Sequence, residues 1–132
     1  MTSKKKIVFL SGKKGGFDAM LPFLKLIKKK NDFGLKVILT DQHLEKKFGE
    51  TYKECVHELG KKHIKTIKIF QKNDQAISRT VGMSILLKNL SNYINKFKPN
   101  LFLVYGDRVE SLIGAIVALN FNIPICHFQG GD

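Results

Sequence analysis

The 132-residue chain contains no tryptophan, three prolines, two cysteines and only two arginines, Arg79 and Arg108. Two cysteines far apart in sequence cannot build a disulfide framework, so we expect a reducing compartment. The 23 basic residues, against 11 acidic ones, give a formal net charge of +12, but nearly all are lysines. Because nucleic-acid readers depend on arginine for bidentate contacts, this excess indicates a solvated surface and no nucleic-acid partner. It does favour a general attraction for anionic ligands.

The chain also lacks a long apolar run near its start. The basic first residues are followed by only four apolar ones, residues 7–10. Such a run is too short for the core of a signal peptide or for a membrane span. We therefore expect a soluble, cytoplasmic protein with no membrane partner.

Short apolar runs alternate with amphipathic segments along the whole chain. The apolar runs predict five strands, at residues 5–11, 35–39, 64–70, 101–105 and 123–128. Helical spacing predicts four helices, at residues 18–30, 45–60, 74–97 and 108–121. Strands and helices that alternate in this way form a doubly wound parallel sheet. We predict one α/β, Rossmann-like domain over residues 1–132, a length sufficient for one core.

Four local features refine this prediction. Pro22 fits best in the first turn of a helix, which places the start of the first helix near residue 18. Gly49 is a point at which the second helix could divide, and the alternation around Lys68 places the third strand nearer a sheet edge. Apolar residues of the third helix form one stripe, which we interpret as core rather than a cofactor site: Ile77, Val81, Ile85, Leu90, Ile94 and Phe97.

Polar or glycine-rich turns follow four of the five predicted strands. The turns are residues 12–16, 40–43, 106–110 and 127–132. Because the carboxyl ends of parallel strands lie at one edge of the sheet, where open α/β sheets bind ligands, these turns should form one rim.

The first of these turns, residues 12–16, joins a strand to a helix. Backbone amides and a helix amino end at this position favour an anion site that would include Gly12, Lys14 and Gly15. The spacing G-x-x-G-G is neither the dinucleotide fingerprint G-x-G-x-x-G nor a P-loop. The alternative is a tight turn with two exposed lysines.

The turn after the fourth strand carries Asp107, Arg108 and Glu110. An acidic residue followed three residues later by Glu is typical of a helix start, and capping alone would explain both carboxylates. Capping does not explain Arg108, and charged residues at this edge favour a ligand site.

The last turn offers an imidazole, an amide and a carboxylate in His127, Gln129 and Asp132. Strand alternation would direct His127 and Gln129 to the same side. A histidine at a strand end often has only a structural role. Acid–base chemistry, however, needs titratable groups that converge from different strands. His127 lies at the end of the fifth predicted strand and Asp107 just after the fourth, so the two are expected to be close. His43, after the second strand, is a further candidate ligand contact.

Cys55, His57 and His63 are the only candidate metal ligands that cluster in sequence. Their spacing, C-x-H-x5-H, matches no usual zinc site, so we predict no metal centre.

Four segments together resemble the amino-terminal part of hydrolysing UDP-N-acetylglucosamine 2-epimerases, which supply N-acetylmannosamine or related sugars for sialic-acid-like nonulosonates. They are Ser11-Gly-Lys-Lys-Gly-Gly-Phe-Asp-Ala-Met-Leu-Pro22, Thr40-Asp-Gln-His-Leu-Glu-Lys-Lys-Phe-Gly-Glu-Thr51, Tyr105-Gly-Asp-Arg108 and His127-Phe-Gln-Gly-Gly-Asp132. The resemblance extends over essentially all of the chain. It implies the amino-terminal half of a glycosyltransferase-B-like enzyme, with the nucleotide sugar between two domains.

The resemblance also implies residue roles. In the family's reaction a C2 proton is lost, UDP departs to leave a glycal, and water then adds with inversion at C2. Asp107 matches the aspartate of G-D-R, Asp132 matches the acidic residue of H-x-x-G-G-[DE], and Gln129 stands where many members have a glutamate. Lys14 stands where an arginine is usual, and Gly16 where an aspartate is common.

Substrate contacts are expected from the remaining rim residues: Gly12, Lys14, Gly15, His43, Arg108, Glu110 and His127. The resemblance implies a UDP-sugar substrate, no cofactor, and a carboxyl-terminal domain or a homo-oligomer as partner. Later catalytic and uridine-binding residues would follow Asp132, so we expect the chain alone to be inactive. The alternatives are a non-catalytic or split-partner accessory domain, or the acceptor half of another nucleotide-sugar transferase.

Overall fold

A computed structural model describes residues 3–131. Five parallel strands form one sheet in the order β3-β2-β1-β4-β5. The strands are β1 (Lys5–Ser11), β2 (Phe33–Leu39), β3 (Ile64–Thr66), β4 (Leu101–Tyr105) and β5 (Ile125–Phe128). The four α-helices within the described residues are α1 (Lys14–Lys29), α2 (Tyr52–Leu59), α3 (Ala76–Phe97) and α4 (Val109–Asn120). Short 3₁₀ segments cover Asp41–Leu44, Lys46–Phe48 and Lys61–His63. The predicted doubly wound α/β fold is therefore confirmed.

The core has two layers because successive side chains of a strand point to opposite faces of the sheet. Val8 and Leu10 of β1 pack on the side of α3 and α4, and Ile7 and Phe9 pack on the side of α1 and α2. Apolar residues fill both faces of the central strands, as a parallel sheet covered on both sides requires. None of the helices within residues 3–131 is both long and apolar enough to cross a membrane.

The first helix starts earlier than predicted. α1 begins at Lys14, directly after the glycine-rich turn, and Pro22 lies in its interior. Pro22 lacks the N–H that an interior position donates, so one helical hydrogen bond is not made. Phe17 and Met20, both fully buried, anchor the first turns against the sheet and offset that loss. The start inferred from Pro22 was therefore wrong.

The region between β2 and β3 is less regular than predicted. Gly49 has φ +83° and ends a 3₁₀ segment, which confirms that it divides the predicted second helix. β3 ends at Thr66 instead of residue 70, although its predicted edge position is confirmed. Ile67 and Ile69 lie beyond the strand and stay buried against α3, and the Ile67 amide still donates to the Leu39 carbonyl oxygen at 2.9 Å.

The buried stripe of α3 is shifted by one position from the predicted one at its amino end. Its fully buried side chains are Leu86, Leu90 and Ile94, and the same four-residue spacing leads back to Gly82. Ile77 and Val81 therefore fall outside the stripe and are exposed, so their assignment to the core was wrong.

Candidate functional site

The turns after β1 and β4 enclose a cavity of about 270 Å³ at the carboxyl edge of the sheet. Its lining comes from residues 9–16 and 105–111, and includes Gly12, Gly15, Asp107, Arg108 and Glu110. The structure thus brings together five of the predicted site residues from two turns that are far apart in sequence.

A close approach between Gly12 and Glu110 joins the two turns. A Cβ at position 12 would lie 2.6 Å from the carboxyl carbon of Glu110 and 2.9 Å from one of its oxygens. Only glycine therefore leaves room for the buried carboxylate. The turn after β2 is attached to the same place, since the Gln42 amide donates to the Gly12 carbonyl oxygen at 3.1 Å.

Asp41, Arg108 and Glu110 form a charged cluster, the Arg108 cluster, where these three turns meet. The guanidinium Nη2 of Arg108 donates to Asp41 Oδ2 at 2.6 Å and to Glu110 Oε1 at 3.0 Å. Its Nε donates to Glu110 Oε2 at 2.8 Å. Glu110 therefore binds Arg108 in the bidentate geometry that carboxylates and guanidinium groups favour.

The two carboxylates of this cluster differ in pKa. Burial, followed by hydrogen bonding to Glu110, raises the pKa of Asp41 to about 7, although the nearby Arg108 opposes the shift. Burial alone would raise the pKa of Glu110, but hydrogen bonds with Asp41 and Arg108 lower it below its usual value. Of the two carboxyl groups, Asp41 is therefore the one that binds a proton more readily.

Sequence reasoning missed Asp41 as a site residue. It lies at the carboxyl end of β2, at the start of a 3₁₀ turn, with φ +54°. Aspartate is one of the few non-glycine residues that adopt this left-handed conformation readily. An acidic residue directly after a buried strand was the signal that could have identified it.

His43 lies beneath the cavity, not on its lining. It is completely buried, and its Nε2 is 2.8 Å from Ser11 Oγ while its Nδ1 is 2.9 Å from Thr51 Oγ1. The Ser11 hydroxyl also lies 3.1 Å from the Lys13 carbonyl oxygen and donates to it, so the His43 Nε2–H donates to Ser11. Burial lowers the pKa of His43 to about 4, so the ring is neutral and supports the first turn from below.

Lys14 points to other protein groups. Its ammonium lies 2.9 Å from an Asp18 oxygen and 2.9 Å from a Glu54 oxygen. These two partners raise its pKa above the usual value for lysine. Lys13, not Lys14, contributes to the lining of the cavity.

The turn after β5 forms a second, smaller part of the rim. His127 Nε2 donates to the Gly106 carbonyl oxygen at 2.6 Å, and His127, Gln129 and Asp107 line one shallow depression there. Gln129 lies beyond the end of β5 with φ +57°, so strand alternation does not set its direction as expected. Asp132, the third predicted catalytic residue, lies outside the described residues.

Asp107 is the one acidic residue that lines both parts of the rim within residues 3–131. It is exposed, and no side-chain hydrogen bond or ion pair engages its carboxylate among the described residues. An exposed carboxylate beside a glycine turn and a histidine can take up a proton from a bound molecule.

No three metal-ligating side chains of residues 3–131 are grouped so as to hold a metal ion. Cys55 is buried 3.8 Å from His43 Nδ1, whereas His63 Nδ1 lies 3.0 Å from the Leu35 carbonyl oxygen. Among the described residues, Cys55, His57 and His63 are therefore not grouped as three ligands of one metal ion.

The chain is similar to known proteins in sequence and in fold. The chain is 35% identical, over 98% of its length, to a GDP/UDP-N,N'-diacetylbacillosamine 2-epimerase (hydrolyzing) of Campylobacter jejuni, and spans 33% of that protein. It is 27% identical, over 97% of its length, to a UDP-N-acetylglucosamine 2-epimerase of Neisseria meningitidis, again spanning 33%. The chain therefore spans about a third of the length of these relatives.

Solved structures agree on the architecture. The chain superimposes on a crystal structure of UDP-N-acetylglucosamine 2-epimerase with a TM-score of 0.75 at 22% identity, covering 95% of this chain and 33% of that one. The Neisseria meningitidis enzyme bound to UDP-GlcNAc gives a TM-score of 0.73 at 22% identity, covering 92% and 31%. These matches place the fold in the amino-terminal part of such structures.

The family model described as UDP-N-acetylglucosamine 2-epimerase matches residues 25–132, which is most of the chain and includes the turns after β2, β4 and β5. The chain therefore belongs to the UDP-N-acetylglucosamine 2-epimerase family.

Proposed function

We propose that this chain forms the amino-terminal part of a hydrolysing 2-epimerase that acts on a UDP-linked 2-acetamido sugar. The observation that carries the proposal is the position of Asp107, an exposed carboxylate where the cavity meets the depression beside His127. The family supports the class of reaction, and the name of the Campylobacter jejuni relative supports the hydrolysing subtype.

In the proposed reaction Asp107 is the base. Its carboxylate takes the proton from C2 of the sugar while the bond from C1 to the diphosphate oxygen breaks, so UDP leaves and a C1–C2 double bond remains. Water then adds its oxygen to C1, and a proton returns to C2 on the opposite face. Exposed and without a side-chain partner among the described residues, the Asp107 carboxylate suits this role.

The glycine-rich turn supports binding of the diphosphate. The first helical hydrogen bond of α1 runs from the Phe17 amide to Lys13, so the preceding amides have no helical acceptor. No side chain caps this end, and the first turn contains no acidic residue. A Cβ at Gly15 would meet nothing within 4 Å, so a ligand can approach the backbone there. We propose that these amides, with Gly12 and Arg108, face the phosphates.

The remaining predicted site residues receive narrower roles in this proposal. Glu110 and His43 support the turns, and Lys14 holds the start of α1 through its two ion pairs. His127 and Gln129 face the sugar. Gln129 cannot exchange a proton as a carboxylate does, so it would bind and not act as an acid or base. Asp132 is proposed as a second acidic group of the site.

A carboxyl-terminal nucleotide-binding domain is the proposed partner of the rim. Relatives are about three times as long as this chain, and two of the solved relatives are described as bound to UDP-GlcNAc. We propose that the uridine binds to that second domain, either within one polypeptide or as a separate subunit.

Complementation tests this function. The carboxyl-terminal two thirds of the Campylobacter jejuni relative would be produced separately and mixed with this chain, and UDP release from UDP-N-acetylglucosamine and UDP-N,N'-diacetylbacillosamine would be measured. We expect release only from the mixture, with free sugar as the second product. Asp107→Asn should lower it by about 10²–10⁴-fold, the usual worth of a general base.

Asp32→Asn is the matched control, because Asp32 is an exposed aspartate at the opposite, amino end of β2. It should leave UDP release unchanged. Full activity of Asp107→Asn, absence of UDP release from the mixture, or transfer of the sugar to an acceptor in place of hydrolysis would each overturn the proposal.

A further inference from the structure

The Arg108 cluster contains two carboxylates and one guanidinium. Glu110 is 4% exposed and Asp41 is 9% exposed, so both carboxylates are removed from water. Both accept hydrogen bonds from Arg108, and Arg108 is the only cation in ion-pair distance of either one among residues 3–131. If both carboxylates were ionised, the cluster would hold an uncompensated buried negative charge, which is costly.

The groups around the cluster do not supply the missing positive charge. Glu45, on the turn that follows β2, adds negative charge near Asp41. Arg79 of α3 and Asp107 line the neighbouring cavity with Asp41, but Arg79 is exposed and its guanidinium binds the Asp74 carbonyl oxygen. On the β1 side, His43 is neutral and Lys13 is at the exposed lip of the cavity. A proton is the remaining way to balance the pair.

We propose that Asp41 and Glu110 hold one proton between them, and that Asp41 is thereby a positioning residue that fixes Arg108 at the edge of the cavity. With the proton bound, the cluster is neutral and Arg108 keeps both hydrogen-bond partners. Without it, the cluster carries a net negative charge next to the turn of residues 12–16. That charge repels a phosphate-bearing ligand.

The proposal links ligand binding to proton binding. An anion that enters the cavity disfavours ionisation of Asp41 further, so the cluster takes up a proton from solvent as the ligand binds. Affinity for the anion should then fall as pH rises through neutrality. This consequence rests on the proposed function, because that function places a diphosphate beside Gly12 and Arg108. The shared proton itself does not rest on the proposed function.

Side-chain carboxyl NMR on the chain without ligand tests the shared proton directly. We expect one carboxyl signal with a midpoint near neutral pH. It should be missing in Asp41→Asn and should persist in Asp32→Asn, the exposed control. Glu110→Gln, which leaves Asp41 paired with Arg108 alone, should move the Asp41 midpoint below pH 5.

A wild-type chain in which every carboxyl group titrates below pH 5.5 overturns the proposal. So does a neutral-pH titration that persists in Asp41→Asn. Asp41→Asn keeps an oxygen acceptor for Arg108, and Glu110→Gln gives a second reading if Asp41→Asn folds poorly.

The ligand step is tested with UDP-N-acetylglucosamine on the complemented enzyme. Each of its phosphates carries one ester and one anhydride bond, so its single acidic proton is lost throughout this pH range and the ligand charge stays constant. We expect the Kd to rise about tenfold between pH 6 and pH 8.5 for wild type, in line with loss of one proton, and to stay within about twofold for Asp41→Asn. Equal pH dependence in the two proteins overturns the linkage. If the complemented enzyme does not bind the sugar nucleotide while the carboxyl titration is as expected, the proposed function fails and the shared proton stands.

Discussion

The two parts of the rim differ in how their polar groups are satisfied. In the Arg108 cluster, after β2 and β4, both carboxylates are buried, and each charged group binds another charged group of the chain. Asp107 and Gln129, near the end of β5, are exposed and bind no other side chain among the described residues. In the first part the charged groups already bind one another. In the second part the exposed polar groups are accessible to a ligand.

Strand order explains this difference. β1 is central in the sheet, with β2 and β4 on either side, so the three turns at its carboxyl end pack on one another. β5 lies at the edge and has β4 as its only neighbour in the described chain. Its turn therefore contacts the protein on one side, through His127 and the Gly106 carbonyl oxygen.

Removing the cation of the buried part should have the largest effect. Arg108→Met leaves two buried carboxylates without a partner, and we expect it to lower the free energy of unfolding by about 2–4 kcal/mol at pH 8. That is somewhat less than for a fully buried pair, since the guanidinium is about a third exposed. The loss should shrink at pH 5, where the carboxylates can take up protons. Urea unfolding measures this loss in the free energy of unfolding. Arg79→Met, which removes an exposed arginine, is the control and should be nearly neutral. Equal losses for the two variants would contradict the special role of the buried carboxylates.

The pH dependence of stability should also come from the buried part. The pKa of Asp41 is about 7 in the folded protein, against 3.8 for an aspartate in an unfolded chain. Between these values the unfolded chain loses its proton while the folded protein keeps it, so stability is full below pH 4 and decreases as pH rises to 7. The slope is at most about 1.4 kcal/mol per pH unit. Unfolding of wild type and Asp41→Asn at pH 5, 6, 7 and 8 should show a steeper decrease for wild type, and parallel curves would contradict the assignment.

Glycine substitutions compare the packing of the two parts. In Gly12→Ala the new methyl group would collide with buried Glu110, which cannot move without leaving Arg108, and we expect a loss of about 1–2 kcal/mol. In Gly130→Ala the methyl group would meet the His127 ring, which is exposed and can rotate away, so the loss should stay below about 0.5 kcal/mol. Gly15→Ala, with open space around it, controls for loss of glycine alone. Thermal unfolding ranks the three, and a larger loss for Gly130→Ala would reverse the comparison.

The smallest effect on stability should come from the exposed part itself. His127→Ala removes one hydrogen bond at the surface, and we expect a change below about 0.5 kcal/mol in the free energy of unfolding. The same substitution should weaken UDP release by the complemented enzyme, because the proposed site uses this side chain. A strongly destabilised but fully active variant would show that His127 is a structural residue only.

The sequence predicted the sheet well because its signals are periodic and local. Buried strands such as β1 and β4 are short apolar runs between turn residues, and their bounds were predicted without error. The start of α1 was not, because the burial of Phe17 and Met20 outweighs the hydrogen bond that Pro22 cannot make. Local helix propensity contains no information about burial against the sheet, so it could not predict this helix start.

The site was predicted at the level of the rim but not of its pairing. Asp107, Arg108 and Glu110 were chosen as candidates because they follow a buried strand, and the structure places all three on the lining of the cavity. Asp41 was missed, since its partner Arg108 is 67 positions away and only the strand order brings them together. The burial of His43 is likewise a tertiary outcome, set by Ser11 and Thr51 on both sides of its ring. Contacts between side chains that are far apart in sequence therefore could not be predicted from the local sequence pattern.

The proposed role of Asp107 in the open part of the rim is tested most directly by the fate of the C2 proton. The complemented enzyme would turn over UDP-N-acetylglucosamine in deuterium oxide, and the released sugar would be examined by proton NMR. We predict free sugar of inverted C2 configuration with one deuterium at C2, and no such product from Asp107→Asn. A product that retains its original proton at C2, or an Asp107→Asn protein that labels the sugar at the wild-type rate, would contradict this role.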